Sequence, residues 1–125
     1  MGSAFPFTGR SILVVEDEPL ISLEMTALFE SVGAIVVQAR TVAEAADCAD
    51  GLSAAVLDFK LAGESVPALC NLLSERRIPF MFYSGYSDIQ RTYPDAVIVQ
   101  KPASANALLT AMAGLVAPPA EALAS

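Results

Sequence analysis

The chain has 125 residues, 54% of them hydrophobic, with 14 acidic residues against 7 basic ones and no His, for a net charge of -7. That length suits one domain with a core of its own, held without metal or disulfide staples. The acidic balance excludes direct binding of nucleic acid, which rests on clustered Lys and Arg, and the lack of His beside only 2 Cys excludes a usual zinc site or a His-based triad.

Short β-branched runs alternate along the chain with longer helical ones, the pattern of βαβ units around a parallel sheet. Residues 1–9 read as an N-terminal extension with no basic-then-apolar leader, and Pro6 stands where a myristoylation motif needs Ser or Thr. The first strand is expected at residues 12–15. Pro19 suits a first helical position, and the spacing of Leu20, Leu23, Ala27 and Val32, flanked by Ile21 and Leu28, predicts a core-facing stripe ending at Gly33. After a second strand at residues 35–37, Thr41 and Glu44 form a capping-box pattern that opens a helix to about Ala49. A third strand at residues 54–57 precedes a helix over residues 66–75 that carries Leu69, Leu72 and Leu73.

The fourth strand, residues 80–83, and the fifth, residues 96–99, are separated only by residues 85–95, which include Pro94 and almost no aliphatic periodicity. This predicts a short or disordered fourth helix near residues 87–92, at the low end of local stability. A last helix over residues 104–116 is expected to stop before Pro118-Pro119, with residues 118–125 as a tail and no effector domain expected after it. The folded domain is thus expected at residues 10–117, with all five strands buried. No apolar run is long enough to span a membrane, so a cytoplasmic protein without membrane contacts is expected. Cys48 and Cys70 fall in helix-like stretches and read as small packed side chains in a reduced compartment.

Right-handed crossovers give an α/β doubly wound five-stranded parallel sheet, and the common small, flavodoxin-like version orders its strands 2-1-3-4-5, with the ligand crevice at the carboxyl ends of strands one and three. Glu16 and Asp17 directly follow the first strand and Asp58 the third, so three carboxylates converge at that switch point. Like charges about 4 Å apart repel by roughly 1 kcal/mol in water and about 4 kcal/mol at the effective dielectric of a protein surface, so the cluster calls for a neutralising cation. Oxygen donors suit Mg2+. Ser84 follows the fourth strand and Lys101 the fifth, adding a hydroxyl and an ammonium to the same crevice. Taken singly, each element reads as an ordinary cap, turn or loop. Taken together, they predict phosphoryl transfer to an Asp58 carboxylate, with the metal, Lys101 and Ser84 receiving phosphoryl oxygens.

These residues resemble the receiver domain of bacterial two-component response regulators (CheY-like), over nearly the whole chain. Glu16-Asp17 is similar to the family's acidic pair, Leu57-Asp58-Phe59 to its phosphoacceptor strand end, Ser84-Gly85 to its hydroxyl switch position and Lys101-Pro102 to its Lys with a following, typically cis, proline. The resemblance implies that Asp17, Asp58 and the Lys60 carbonyl bind Mg2+ directly and that Glu16 acts mainly through a bound water. It further implies that a histidine kinase or histidine phosphotransferase phosphorylates Asp58, and that Ser84 and Lys101 hold the phosphoryl group. Phe82-Tyr83-Ser84-Gly85-Tyr86 looks like the Phe-Ala-Thr-Gly-Tyr signature of the mostly stand-alone FAT GUY group, with Tyr83 in place of Ala and Ser84 in place of Thr.

Where most receivers carry a switching Tyr or Phe three residues before the Lys, this sequence has Ile98, so Tyr86 and residues 85–94 are expected to carry the signal. Three other readings compete: a pseudo-receiver acting as a constitutive interaction module, an Asp-nucleophile phosphatase and a flavin binder. The phosphatase lacks its second Asp, whose position holds Lys60, and the acidic first loop would repel an anionic cofactor. Glu18 and Lys60 border the crevice. A monomer that contacts other proteins is expected.

Overall fold

The computed structural model describes residues 7–58, 66–85 and 96–116. In chain order these form β1 (Ser11–Val15), α1 (Pro19–Glu30), β2 (Ile35–Ala39), α2 (Val42–Asp47), β3 (Ala54–Leu57), α3 (Val66–Glu75), β4 (Phe80–Ser84), β5 (Val97–Gln100) and α4 (Ala105–Val116). The strands are all parallel in the order β2-β1-β3-β4-β5, the doubly wound arrangement of CheY-like receivers. The expected helix at residues 87–92 and the tail at 118–125 lie outside the described residues, as do Lys60 and Tyr86.

Alternation along each strand builds two separate apolar layers, because successive side chains leave opposite faces of the sheet. Leu13, Val15, Ala55, Leu57 and Phe82 face α2 and α3, where they meet Ala45, Leu69 and Leu73. Ile12, Val14, Ala54, Val56 and Met81 face α1 and α4, where they meet Met25, Phe29, Leu108 and Met112. Full cover on both faces is why β1 and β3 read as continuous apolar runs instead of alternating ones. The edge strands differ from the expectation of five buried strands: β2 and β5 are partly exposed, with Ile35 and Val97 open to solvent, since each has a neighbour on one side only.

Helix α1 corrects a second expectation. Its buried residues are Ser22, Met25, Thr26 and Phe29, whereas Leu20 and Leu23 are 74% and 61% exposed and Ala27 also faces solvent. Both sets have helical spacing, so periodicity alone could not choose between them. The choice follows from Phe29, whose ring packs at a tilt against Phe7 with centroids 6.1 Å apart, and from Thr26, whose Oγ1 accepts from Gln38 Nε2 at 2.7 Å. Phe7, inside the stretch read as an extension, is completely buried in this layer.

Local chemistry sets the helix ends. Gly33, past the end of α1, has φ +97, and a Cβ there would stand 3.0 Å from Thr8 Oγ1, so both conformation and space favour Gly. Thr41 Oγ1 accepts from Glu44 N–H at 3.1 Å, while Glu44 reaches back one residue further than the usual box to accept from Arg40 N–H at 2.7 Å. Helix α2 ends at Asp47, short of the expected Ala49. Ser104 Oγ accepts from Ala107 N–H and opens α4. Cys48 is half-buried and Cys70 buried. Among the described residues, no helix is long and apolar enough to cross a membrane.

Candidate functional site

Backbone bonds that prolong the sheet ladders hold the crevice residues at their strand ends. Glu16 N–H donates to Ala39 C=O at 3.0 Å, Asp58 N–H to Val15 C=O at 3.0 Å, and Lys101 N–H to Ser84 C=O at 2.8 Å. Their side chains therefore start from backbone as rigid as the sheet. The Lys101–Pro102 bond is cis.

Glu16, Asp17 and Asp58 each bring a carboxylate oxygen into one group whose members all lie within 4.8 Å of one another. Asp58 is buried, Asp17 sits exposed at the rim, and Glu16, 1% exposed, lies deepest. Lys101 closes the cluster, its Nζ 3.5 Å from Glu16 Oε1 and 3.7 Å from Asp58 Oδ2. Ser84 is buried at the end of β4. Lys60 lies outside the described residues, so the predicted carbonyl ligand is not placed.

Burial lifts the Glu16 carboxyl from its ordinary 4.5 to about 7, and the neighbouring Asp58 carboxylate lifts it too. The Glu18 N–H, which donates to Glu16 Oε2 at 3.1 Å, and the Lys101 ammonium oppose that rise. Two buried acids thus share the single Lys101 ammonium among the described residues. Hard oxygen donors without nitrogen or sulfur fit a hard divalent cation such as Mg2+.

Two parts of the site escaped sequence reasoning. The backbone N–H of Glu18 holds the deepest carboxylate, where the sequence suggested only a charged rim. Tyr83 places its ring under Lys101, with Nζ 5.2 Å from the ring centroid. The signal for Tyr83 was present, since a bulky aromatic stands there where the similar signature has Ala.

No protein-family model and no curated protein matches the sequence. Solved structures do share its fold. A response regulator receiver protein from Sinorhizobium medicae superposes with a TM-score of 0.78 at 20% identity, over 86% of this chain and 94% of that one. The PhyR response regulator REC domain of Erythrobacter litoralis gives 0.77 at 25% identity, over 90% of this chain and 97% of that one. The anti-anti-sigma factor PhyR of Bartonella quintana gives 0.74 at 25% identity, over 89% of this chain but 49% of that one. The chain therefore has the receiver fold of response regulators, with an acidic cluster able to hold a metal at the carboxyl ends of β1 and β3.

Proposed function

We propose that the chain accepts a phosphoryl group on Asp58 from a histidine kinase or histidine phosphotransferase, and signals through protein contacts or drains phosphoryl groups as a sink. The observation that carries this reading is the convergence of three carboxylates and the Lys101 ammonium at the carboxyl ends of β1, β3 and β5. Asp58 is the nucleophile, because it is the buried Asp of the cluster and pairs with Lys101.

In the transfer, a carboxylate oxygen of Asp58 attacks phosphorus, an O–P bond forms, and the P–N bond to the donor imidazole breaks, its electron pair staying on nitrogen. Lys101 neutralises one phosphoryl oxygen and Ser84 donates a hydrogen bond to another. Glu16, Asp17, Asp58 and the Lys60 carbonyl would hold Mg2+, Glu16 through a water. When bound, the ion would supply charge neutralisation on the phosphoryl oxygens. The domain turns over no external substrate; it catalyses only its own phosphorylation and dephosphorylation. The likeness of residues 82–86 to the FAT GUY signature supports a reading near that group, and a cytoplasmic monomer belongs to the same proposal.

Exposed Leu20 and Leu23 on α1, beside a hollow of about 300 Å³ lined by Glu16, Pro19, Ser22, Leu23, Gln38 and Arg40, give the phosphodonor an apolar footing next to the acids. The test is intact mass after incubation with acetyl phosphate and Mg2+, alongside Asp58→Asn and a chelator control. Gain of one phosphoryl group, lost in both controls, is expected. No gain, with no Mg2+ binding, would make the chain a pseudo-receiver that acts as a constitutive interaction module.

A further inference from the structure

We propose that Tyr83 is a positioning residue for Lys101, its ring face holding the ammonium beside Asp58. The proposal rests on the phosphoacceptor reading of Asp58. In the β4–β5 register Tyr83 lies opposite Val99, two residues before Lys101, so the ring and the Lys stem leave the sheet on the same face. Tyr83 packs against the layer that contains Met25, Leu108 and Met112, and it forms a wall of the groove between α1 and α4. Its hydroxyl oxygen lies 3.5 Å from Ala103 N–H, in the loop that follows Lys101. The ring is therefore held on two sides. An ammonium 5.2 Å from its centroid falls inside the range, about 6 Å, in which the negative ring face attracts a cation.

The ring matters because, among the described residues, the two carboxylates that also hold Lys101 are shared. Glu16 and Asp58 attract the ammonium, but they belong to the carboxylate set that suits a divalent cation. Once those oxygens are engaged by such a cation, their pull on Lys101 falls and the ion repels the ammonium. Lys has a flexible four-carbon stem that readily carries its charge out to water. The Tyr83 face is the one hold among these that a metal does not take away.

Lys60 and Lys101 are the two lysines of the chain, so selective lysine labelling gives two side-chain signals in an NMR spectrum, assigned with Lys60→Arg. In the wild type, with and without Mg2+, the Lys101 ε-protons should show a through-space contact to the Tyr83 ring and lie upfield of those of Lys60. Tyr83→Phe should keep the upfield position and Tyr83→Leu should lose it. Phosphoryl uptake from acetyl phosphate should fall about fivefold in Tyr83→Leu and stay within about twofold in Tyr83→Phe. Absence of the contact in the wild type, or uptake by Tyr83→Leu equal to that of the wild type, overturns the proposal. The wild-type contact decides the matter even where Tyr83→Leu folds poorly. A wild type that shows the contact but takes up no phosphoryl group overturns the reading of Asp58 and keeps the Tyr83–Lys101 contact.

Discussion

Glu16 is a carboxyl only 1% exposed, at the deepest point of the acidic cluster. The sequence placed it in the acidic pair, but only the fold shows that burial is the larger influence, lifting its carboxyl to about 7. With a folded pKa above the ordinary 4.5, the folded state keeps a proton that the unfolded chain gives up. The stability that Glu16 contributes is thus full below about 4.5 and is lost as pH rises through about 7. In chelator, thermal unfolding of the wild type should therefore lose stability relative to Glu16→Gln between pH 5 and pH 8. Mg2+ affinity, measured by calorimetry, should tighten with rising pH across the same window in the wild type and not in Glu16→Gln. Parallel pH profiles for the two proteins would contradict this assignment.

At the scale of elements, α1 is informative because two of its faces carry apolar residues at helical spacing. Met25 and Phe29 turn to the sheet, and Leu20 and Leu23 remain on the surface, Leu23 lining the same hollow as Glu16. Exposed side chains contribute little to folding, so Leu20→Gln and Leu23→Gln should each shift unfolding stability by under about 0.5 kcal/mol. Uptake from a phosphorylated histidine phosphotransferase should fall about tenfold in the double variant, roughly 1.4 kcal/mol, while uptake from acetyl phosphate stays unchanged. A loss with both donors would place the two leucines in folding instead of docking. Element types were legible in the sequence because short β-branched apolar runs alternate with longer stretches of helical spacing, one of them opened by the Thr41–Glu44 cap. Burial was not, because exposure of α1 and of the edge strands depends on what lies across the sheet.

For the molecule as a whole, Phe7 ties the start of the described chain to the layer between the sheet and α1. The sequence isolates it between Pro6 and Thr8, outside any periodic run, which is why it reads as part of an extension. In the fold it is completely buried and packs against Phe29. Phe7→Ala should cost about 3–5 kcal/mol in urea unfolding, the usual range for emptying a buried aromatic site. A cost under about 1 kcal/mol would mean that the ring adds little to the packed layer.

The sequence by itself determined the βαβ alternation and the positions of Glu16, Asp17, Asp58, Ser84 and Lys101 at strand ends, and the common doubly wound order 2-1-3-4-5 expected from it is the order observed. These follow from local periodicity, from the handedness of crossovers and from the rule that strand ends open onto the crevice. The tertiary structure decided which face of α1 is buried, that Phe7 belongs to the core, how far burial shifts Glu16, and that Tyr83 lies under Lys101. Each of these depends on distances between residues far apart in the chain, and such distances are set by how the layers pack and not by any local pattern.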